Sequence, residues 1–544
     1  MRRLLPALAI VATYGVLPVS SARPHFFPDD PIWVDDDRAF DASGARPHED
    51  SNGYDFLVNT FLRPGERRAV RAMNINTVDE VPDSSWFTNR IGRRAMSVED
   101  VVRGPDRMGR LSLDGWVISG GKSTGVQAGF RMQDPDGHTY QIEFDPPSNP
   151  EMASGAEIIG TAFYHAFGYH VVDVYLTEFD PATLTISPRA TIRDVFTGER
   201  RRLERRDLDA VLARAARLPN GRYRALASRF ADGRPLGNFR YYGTRPDDPN
   251  DIVPHEHRRE LRGARVFAAW LNHDDSRGVN SLDMLETTDG RGWIKHYMFD
   301  FGSILGSGTV FSQRHRAGHE YIFEWKPGWL TLATLGGYIR PWMLIRYPRV
   351  PPSVGRFEAD AFDPIAWKAE YPNTAFQNMQ PDDAFWAARI VSRFTDEMIA
   401  AIVGKAEYSD AAATRFLTEA LITRRDKVLR AWLTATNPVV DPVMADGRLR
   451  FANAAVDAGV ATPPADYSVQ WFLFDNASGT RTPVGAPVRT ASREVAVPDA
   501  LRGAAFAGAT ITAPHPDHPV WSRPVEFVFR GAEGGWTLVG VRRP

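Results

Sequence analysis

Apolar residues recur at helical spacing at Leu261, Ala264, Phe267, Ala268 and Leu271, which predicts a helix that delivers the chain to His273. There the periodicity stops. Asp274, Asp275, Ser276, Arg277 and Gly278 are turn formers, so His273, Asp275 and Asn280 share a short loop. Residues 281–286 and 293–299 read as strands, and Asp289-Gly290 between them is a hairpin signal that returns Asp300 towards Asn280. Upstream, β-type runs at 116–118, 126–132 and 139–144 are joined by the Gly-rich stretch 120–125 and by Asp134-Pro135-Asp136-Gly137. The best-marked helix follows. Ser148 and Asn149 are capping types and Pro150 suits the first turn. Met152, Ala156, Ile159, Phe163 and Phe167 form one stripe, and Gly168 ends it.

A strand is expected at 171–178, and strands around 184–192 and 223–230 flank an Arg-rich helix at 203–218, whose Arg clusters read as a solvated face. Helical periodicity returns over 384–403 and 411–433. From about residue 437 short β runs at 448–452, 467–474, 494–497, 509–512, 525–530 and 536–541 suggest a small antiparallel module with no catalytic constellation. Residues 23–110 show little periodicity apart from a helix at 97–103, opened by a Ser97/Asp100 capping-box pattern and closed by Gly104. Trp86 and Phe87 are expected to pin this extension onto the main domain.

At 544 residues the chain has room for several domains. The changes of texture divide it into a leader (1–22), an extension (23–110), a β-rich part with an insertion (111–260), a helical part (261–435) and a β-sandwich-like module (436–544). The leader reads as a secretory signal peptide, with Arg2-Arg3, an apolar run over 4–17 and small residues up to Ala22. That run is too short for an ordinary span, so a periplasmic or secreted protein with no membrane span is expected. A net charge of -2 gives no reason to expect a nucleic-acid or anionic-membrane surface. The absence of Cys excludes disulfides, thiolate metal sites and a Cys nucleophile. Only six Lys occur, at 122, 295, 326, 368, 405 and 427, which singles out Lys122 within the Gly-rich stretch.

Asp275, an Asn five positions later and Asp300 returned by a hairpin are what phosphoryl transfer from a nucleotide requires. One carboxylate orients the acceptor hydroxyl, while an Asn and a second Asp hold magnesium against the phosphates. The stretch 120–125 is not a P-loop, because Gly115 is one residue too far from Gly121-Lys122-Ser123 and a strand follows instead of a helix. His255-x-His257 lacks further ligands and reads as hydrogen-bonding loop histidines. Arg258 or Arg259 is a candidate to reach an acidic substrate.

The spacing H-x-D-x-x-x-x-N from His273 to Asn280, followed by Asp300-Phe301-Gly302, resembles the catalytic loop and metal-binding triplet of the protein-kinase-like superfamily. The resemblance covers about 111–433 and is closest to the atypical branch that includes HipA and CotH proteins. It implies an α+β, two-lobed fold with a β-rich N-lobe and a helical C-lobe, and ATP- and magnesium-dependent phosphoryl transfer to a hydroxyl. Carried over, Asp275 is the catalytic Asp, Asn280 and Asp300 bind metal, and Gly120, Gly121 and Gly125 belong to the flexible cover over the phosphates. Glu157 is the helix Glu that positions the phosphate-binding Lys, with Glu151 second. Residues 303–308 become a mobile segment like an activation loop.

Two departures stand out. Asp274 replaces the usual Arg of H-R-D, and Glu143 occupies the third-strand position of the phosphate-binding Lys. Lys122 can supply that charge from the Gly-rich loop, a relocation similar to that of the with-no-lysine kinases. The competing reading is a catalytically inactive pseudokinase scaffold whose C-terminal module engages a cell-envelope partner. A hydrolase built on Asp274 and Asp275 is a third, resting on paired carboxylates alone.

Overall fold

The computed structural model describes residues 24–109, 111–122, 125–194 and 198–543. The leader expected at 1–22, and Ser123 and Thr124 of the Gly-rich stretch, lie outside the described residues. The described chain is a mixed α+β structure, and no helix in it is long and apolar enough to cross a membrane.

Period-two alternation builds the first sheet. Its strands are β1 (Val117–Gly121), β2 (Ala128–Gln133), β3 (Thr139–Phe144), β4 (Val174–Phe179), β5 (Thr185–Arg193), β6 (Arg200–Arg202) and β7 (Tyr223–Arg229), in the order β4-β7-β3-β2-β1-β5-β6. All neighbours are antiparallel except β1 and β5. In β3 the buried residues Tyr140, Ile142 and Phe144 share a core with Ile118, Phe130 and Met132, so the intervening Glu143 stands on the opposite face.

Helix α1 (Met152–Phe167) lies beneath that face and is buried at every position but His165. It is therefore a central helix rather than the one-striped surface helix its pattern predicts. Phe163 and Phe167 stack into a cluster with Phe267 and Trp270. The helix starts later than Ser148 and Asn149 suggest, because Glu151 is left-handed with φ 66° and makes no cap. Asp145 caps instead: its Oδ1 accepts Ala153 N–H at 2.8 Å and Ser154 N–H at 2.9 Å. Glu151 accepts from Ser409 N–H at 3.0 Å, so it braces a later turn.

A second sheet, β10-β9-β8, follows from β8 (Arg234–Gly237), β9 (Ser281–Thr288) and β10 (Arg291–Met298). Thr288 pairs with Arg291 across Asp289-Gly290, whose φ values of 50° and 78° fit the expected hairpin turn. Helix α2 (Arg259–Leu271) ends at Asn272, left-handed at φ 53°, the conformation that Asn tolerates at a helix C-terminus. Against it pack α4 (Pro381–Val391) and α6 (Ala411–Trp432), and α5 (Asp396–Gly404) packs on α6 and α1, whereas α3 (Trp325–Ala333) buries nothing.

The last region holds β11 (Val439–Ala445), β12 (Arg448–Asn453), β13 (Tyr467–Phe474), β14 (Arg481–Thr490), β15 (Glu494–Ala496), β16 (Phe506–Thr512), β17 (Val525–Ala532) and β18 (Gly535–Arg542). They form sheets ordered β11-β12-β15 and β14-β13-β16-β17-β18. Strand β14 escapes the sequence pattern because Pro483 and Pro487 interrupt it, and such a strand survives at a sheet edge. The N-terminal extension is a strap: Trp86 and Phe87 are buried, Trp86 stacks on His296 at 3.5 Å, and Thr77 O accepts Val541 N–H at 2.8 Å.

Three further expectations are corrected. The helix expected at 203–218 spans only Arg205–Leu212, and beyond it Ala216 N–H turns away to Asp145 O at 2.8 Å. Residues 303–308 do not form an open segment: Ser303, Ile304, Leu305 and Ser307 are buried, and Gly306 O accepts Gln313 N–H at 2.7 Å and Arg356 N–H at 2.8 Å. Arg258 and Arg259 reach no substrate. Both are buried, and Arg259 holds Asp79 at 2.6 Å, Asp382 at 2.6 Å and Asp383 at 3.1 Å. The pair His255 and His257 bonds to Asp251 at 2.7 Å and Glu66 at 2.9 Å, as hydrogen-bonding histidines should.

Candidate active site

The loop between α2 and β9 carries Asp275 and Asn280, and its shape is set by local bonds. His273 N–H donates to Ala268 O at 2.8 Å and Ser276 Oγ to His273 O at 2.9 Å. Asn280 Nδ2 donates to Asp275 Oδ2 at 2.8 Å and to its carbonyl at 2.9 Å. Both amide hydrogens are spent on Asp275, which leaves Asn280 Oδ1 as the oxygen of that amide open to a ligand.

His273 is an anchor. Its Nδ1 lies 3.0 Å from Tyr164 Oη on α1, and its ring meets Phe301 edge-on at 5.6 Å. Tyr164 stacks on Phe301 at 4.4 Å. Burial pushes the His273 pKa down to about 3, so the imidazole is neutral and packs as an aromatic core residue. Helix α1 thereby fixes the turn that presents Asp300. A Cβ on Gly160 would stand 2.8 Å from Ile304 Cδ1, and the missing side chain lets Phe301 seat against the helix. Asp300 itself is left-handed, φ 65°, ψ 59°, a conformation rare for a residue with a side chain.

Around Asp300 the predicted site residues converge. Lys122 is ion-paired with Glu143 across the β1–β3 face, and its Nζ also donates to Gln127 O at 3.3 Å. Glu157 is buried on α1 and accepts the backbone N–H groups of Phe301 and Gly302. Protein crowding and the Glu143 carboxylate raise the Asp300 pKa, opposed by Lys122 and Arg277. Asp300 nevertheless keeps direct access to water on the cleft floor, so solvent screens part of that shift. Burial, Asp300 and Glu143 together raise Glu157 well above the ordinary carboxylate range. Glu143, Glu157 and Asp300 thus bring three carboxyl groups into electrostatic reach of one another, with Lys122 paired to the first.

Glu157 does not position Lys122, contrary to expectation; among the described residues the carboxylate paired with Lys122 is Glu143. The reason is geometric, since Glu157 is engaged with the Phe301-Gly302 backbone below the sheet. Gly120 and Gly121 lie within β1, where a Cβ would meet Arg131 Nη2 at 2.8 Å and Ile192 Cγ1 at 2.6 Å respectively. Their Cβ side is filled by neighbouring strands, so they serve sheet packing. Gly125, at φ 83°, is the one of the three whose backbone demands glycine, with Lys122 Nζ folded to within 2.9 Å of its Cβ position.

Arg277, a turn former by its sequence, also organises the surroundings of Asp275. Its Nε lies 2.6 Å from Asp275 Oδ1, its Nη1 3.0 Å from Glu370, and its guanidinium 6.0 Å above the Tyr371 ring. Glu370 and Tyr371 come from almost a hundred residues away and carry no local signal. Asp274 accepts from Gln313 Nε2 at 2.7 Å, whereas Asp275 accepts from Asn280 Nδ2 at 2.8 Å, so the two adjacent carboxylates have different hydrogen-bond partners.

Burial raises the Asp275 pKa to about 7, with Arg277 opposing and Asp300 and Glu370 reinforcing. Its ordinary value is 3.8. The folded state holds this proton where the unfolded chain releases it. The stability contributed is therefore fully present below the unfolded pKa and lost as pH rises through the folded one. The melting temperature of the ligand-free protein should fall between about pH 5 and pH 8, and Asp275→Asn should flatten that part of the profile. Parallel profiles for the two proteins would contradict this assignment.

No family model, curated protein or solved structure matches the chain.

Proposed function

We propose that the chain is an atypical protein-kinase-like phosphotransferase, with the seven-stranded sheet and α1 as its N-lobe and the α2, α4, α5 and α6 helices as its C-lobe. One observation carries the reading. The residues picked out by H-x-D-x-x-x-x-N and D-F-G come from separate segments, yet Asn280 is hydrogen-bonded to Asp275, and Asp300 lies close enough to act electrostatically on Asp275 and to feel the Lys122 charge. Their buried companions His273 and Phe301 pack on each other against α1.

The donor set suits magnesium. Burial and the Glu143 carboxylate raise Asp300, and burial, Asp300 and Glu143 raise Glu157, a crowding of carboxyl groups that a hard divalent cation relieves, and Asn280 Oδ1 adds a neutral oxygen. When bound, the magnesium nucleotide supplies the phosphoryl group and neutralises the charge that develops on it. Asn280 and Asp300 would hold the metal, and Lys122 would exchange Glu143 for the phosphates. Asp275, freed from Arg277, orients the acceptor hydroxyl and takes its proton. Glu157 keeps the Phe301-Gly302 backbone in place. The leader at 1–22 directs the protein out of the cytoplasm in this reading, where nucleotide must come from an unusual donor or a host compartment.

The ion pairs Lys122–Glu143 and Arg277–Asp275 favour a second reading, a pseudokinase scaffold that binds an envelope partner, because both catalytic charges are already neutralised. ADP release from ATP and magnesium, with water taking the phosphoryl group in place of the hydroxyl acceptor, separates the two. The kinase reading expects turnover that Asp275→Asn lowers by about 100-fold or more while nucleotide still binds. Binding without turnover in the parent protein selects the scaffold.

A further inference from the structure

Helix α3 and the chain that follows it have no counterpart in the site. α3 buries none of its residues, and from Trp325 to Leu344 large apolar side chains face water: Trp329 is 61% exposed, Leu332 63%, Leu335 95% and Leu344 70%. A stable soluble surface seldom leaves so many together. The patch is continued by a segment far away in sequence. Leu57 and Leu62 are exposed, and Phe61 meets Phe323 at 5.1 Å, which in turn meets Trp325 at 4.8 Å.

The charge of this face is one-sided. Between Trp325 and Phe357 stand Lys326, Arg340, Arg346, Arg349 and Arg356 and no Asp or Glu. The acids at its base are already used: Glu320 is paired with Arg340 and accepts Trp342 Nε1 at 2.7 Å, and Glu324 is paired with Lys368 at 2.7 Å. Lys326, Arg346 and Arg349 are exposed and have no ion-pair partner among the described residues. Arg63 and Arg67 add positive charge beside Phe61 and Leu62, and partial burial together with the Arg63 charge depresses the Arg67 pKa. The net charge of -2 for the whole chain conceals this local excess.

We propose that this face, built on Trp325–Leu344 and Leu57–Leu62, is a peripheral binding surface for an anionic lipid bilayer. Leu332, Leu335, Leu344 and Met343 enter the acyl boundary, Trp325, Trp329 and Trp342 sit at the headgroup level, and Lys326, Arg346 and Arg349 meet lipid phosphates. At nine residues α3 is far too short to span, so it lies in the plane of the interface. Charge complementarity selects this occupant: a second copy of the chain would bring the same basic face against itself.

The test is co-sedimentation of the chain from residue 23 onward with phosphatidylglycerol/phosphatidylcholine vesicles and with phosphatidylcholine vesicles. Binding is expected to the anionic vesicles, with a blue shift of Trp emission and weakening as salt rises. Leu332→Asp/Leu335→Asp should weaken it roughly tenfold or more, and Arg346→Glu/Arg349→Glu comparably. Neither pair should change the thermal unfolding of the free protein, because all four side chains are exposed. Equal binding to both vesicle types, none to either, or unchanged binding by the Leu variant overturns the proposal. So does self-association in sedimentation velocity that the Leu variant abolishes, which assigns the face to a second copy. None of these readouts depends on nucleotide, so the phosphotransferase reading stands or falls separately.

Discussion

Arg259→Met should cost about 3–5 kcal/mol of folding stability, the loss expected when one partner of a buried ionic cluster is removed. Arg259 is fully buried and gives Nη1 to Asp79, Nη2 to Asp382 and Nε to Asp383. Burial pushes Asp79 up, and Arg259 and Arg71 overcome it, leaving its carboxyl below the ordinary value. Without the guanidinium, Asp79 and Asp383 remain as charges with too little compensation in a place water barely reaches. Arg259→Lys should rescue little, because an ammonium cannot reproduce a planar fork serving three carboxylates. Denaturant unfolding measures the effect, and a loss below about 1 kcal/mol would mean that the cluster is solvated or relaxes freely. The cluster ties the extension, through Asp79, to the N-termini of α2 and α4, so it also holds the helix that delivers the Asp275 loop.

Gly160→Ala should cost about 1–3 kcal/mol despite the intrinsic preference of a helix for Ala by about 1 kcal/mol. The new Cβ would lie 2.5 Å from Phe301 Cβ and 2.8 Å from Ile304 Cδ1. Phe301 Cβ is bonded to the backbone and cannot swing aside like the end of a long side chain. The strain should therefore move the turn itself, carrying Asp300 with it. The variant is expected to lose nucleotide-dependent stabilisation as well as intrinsic stability. A variant as stable as the parent would show that α1 and the Phe301 turn are less tightly coupled than their packing implies.

What was legible in the sequence was mostly local. The α2 periodicity, the Asp289-Gly290 hairpin and the Ser97/Asp100 capping box each depend on residues within a few positions of one another, and the structure has all three. Asp275, Asn280 and Asp300 could be grouped because a helix end, a short loop and one hairpin separate them. Glu143 announced itself as a carboxylate where a Lys was expected. The other half of the site depends on distant partners. Arg277 looks like any turn residue until Glu370 and Tyr371 arrive beside it. Asp145 caps α1 from seven residues before its first turn, so the nearer Ser148 and Asn149 drew the assignment. Arg258 and Arg259 look like free cations for an acidic substrate, since nothing local shows that Asp79 and Asp383 surround Arg259. The Gly and Ser of 303–308 suggest mobility, whereas Ile304 and Leu305 beside them are driven into the core.

The most direct measurement is thermal unfolding of the chain from residue 23 onward, parent and Asp300→Ala, with and without ATP and magnesium. Nucleotide at about a hundred times its dissociation constant should add about 2.7 kcal/mol to the parent, only when magnesium is present, because a ligand that binds the native state stabilises it by mass action. Asp300→Ala should show no such rise. No shift in the parent at millimolar nucleotide, or the same shift in both proteins, would contradict a nucleotide–metal site at Asp300.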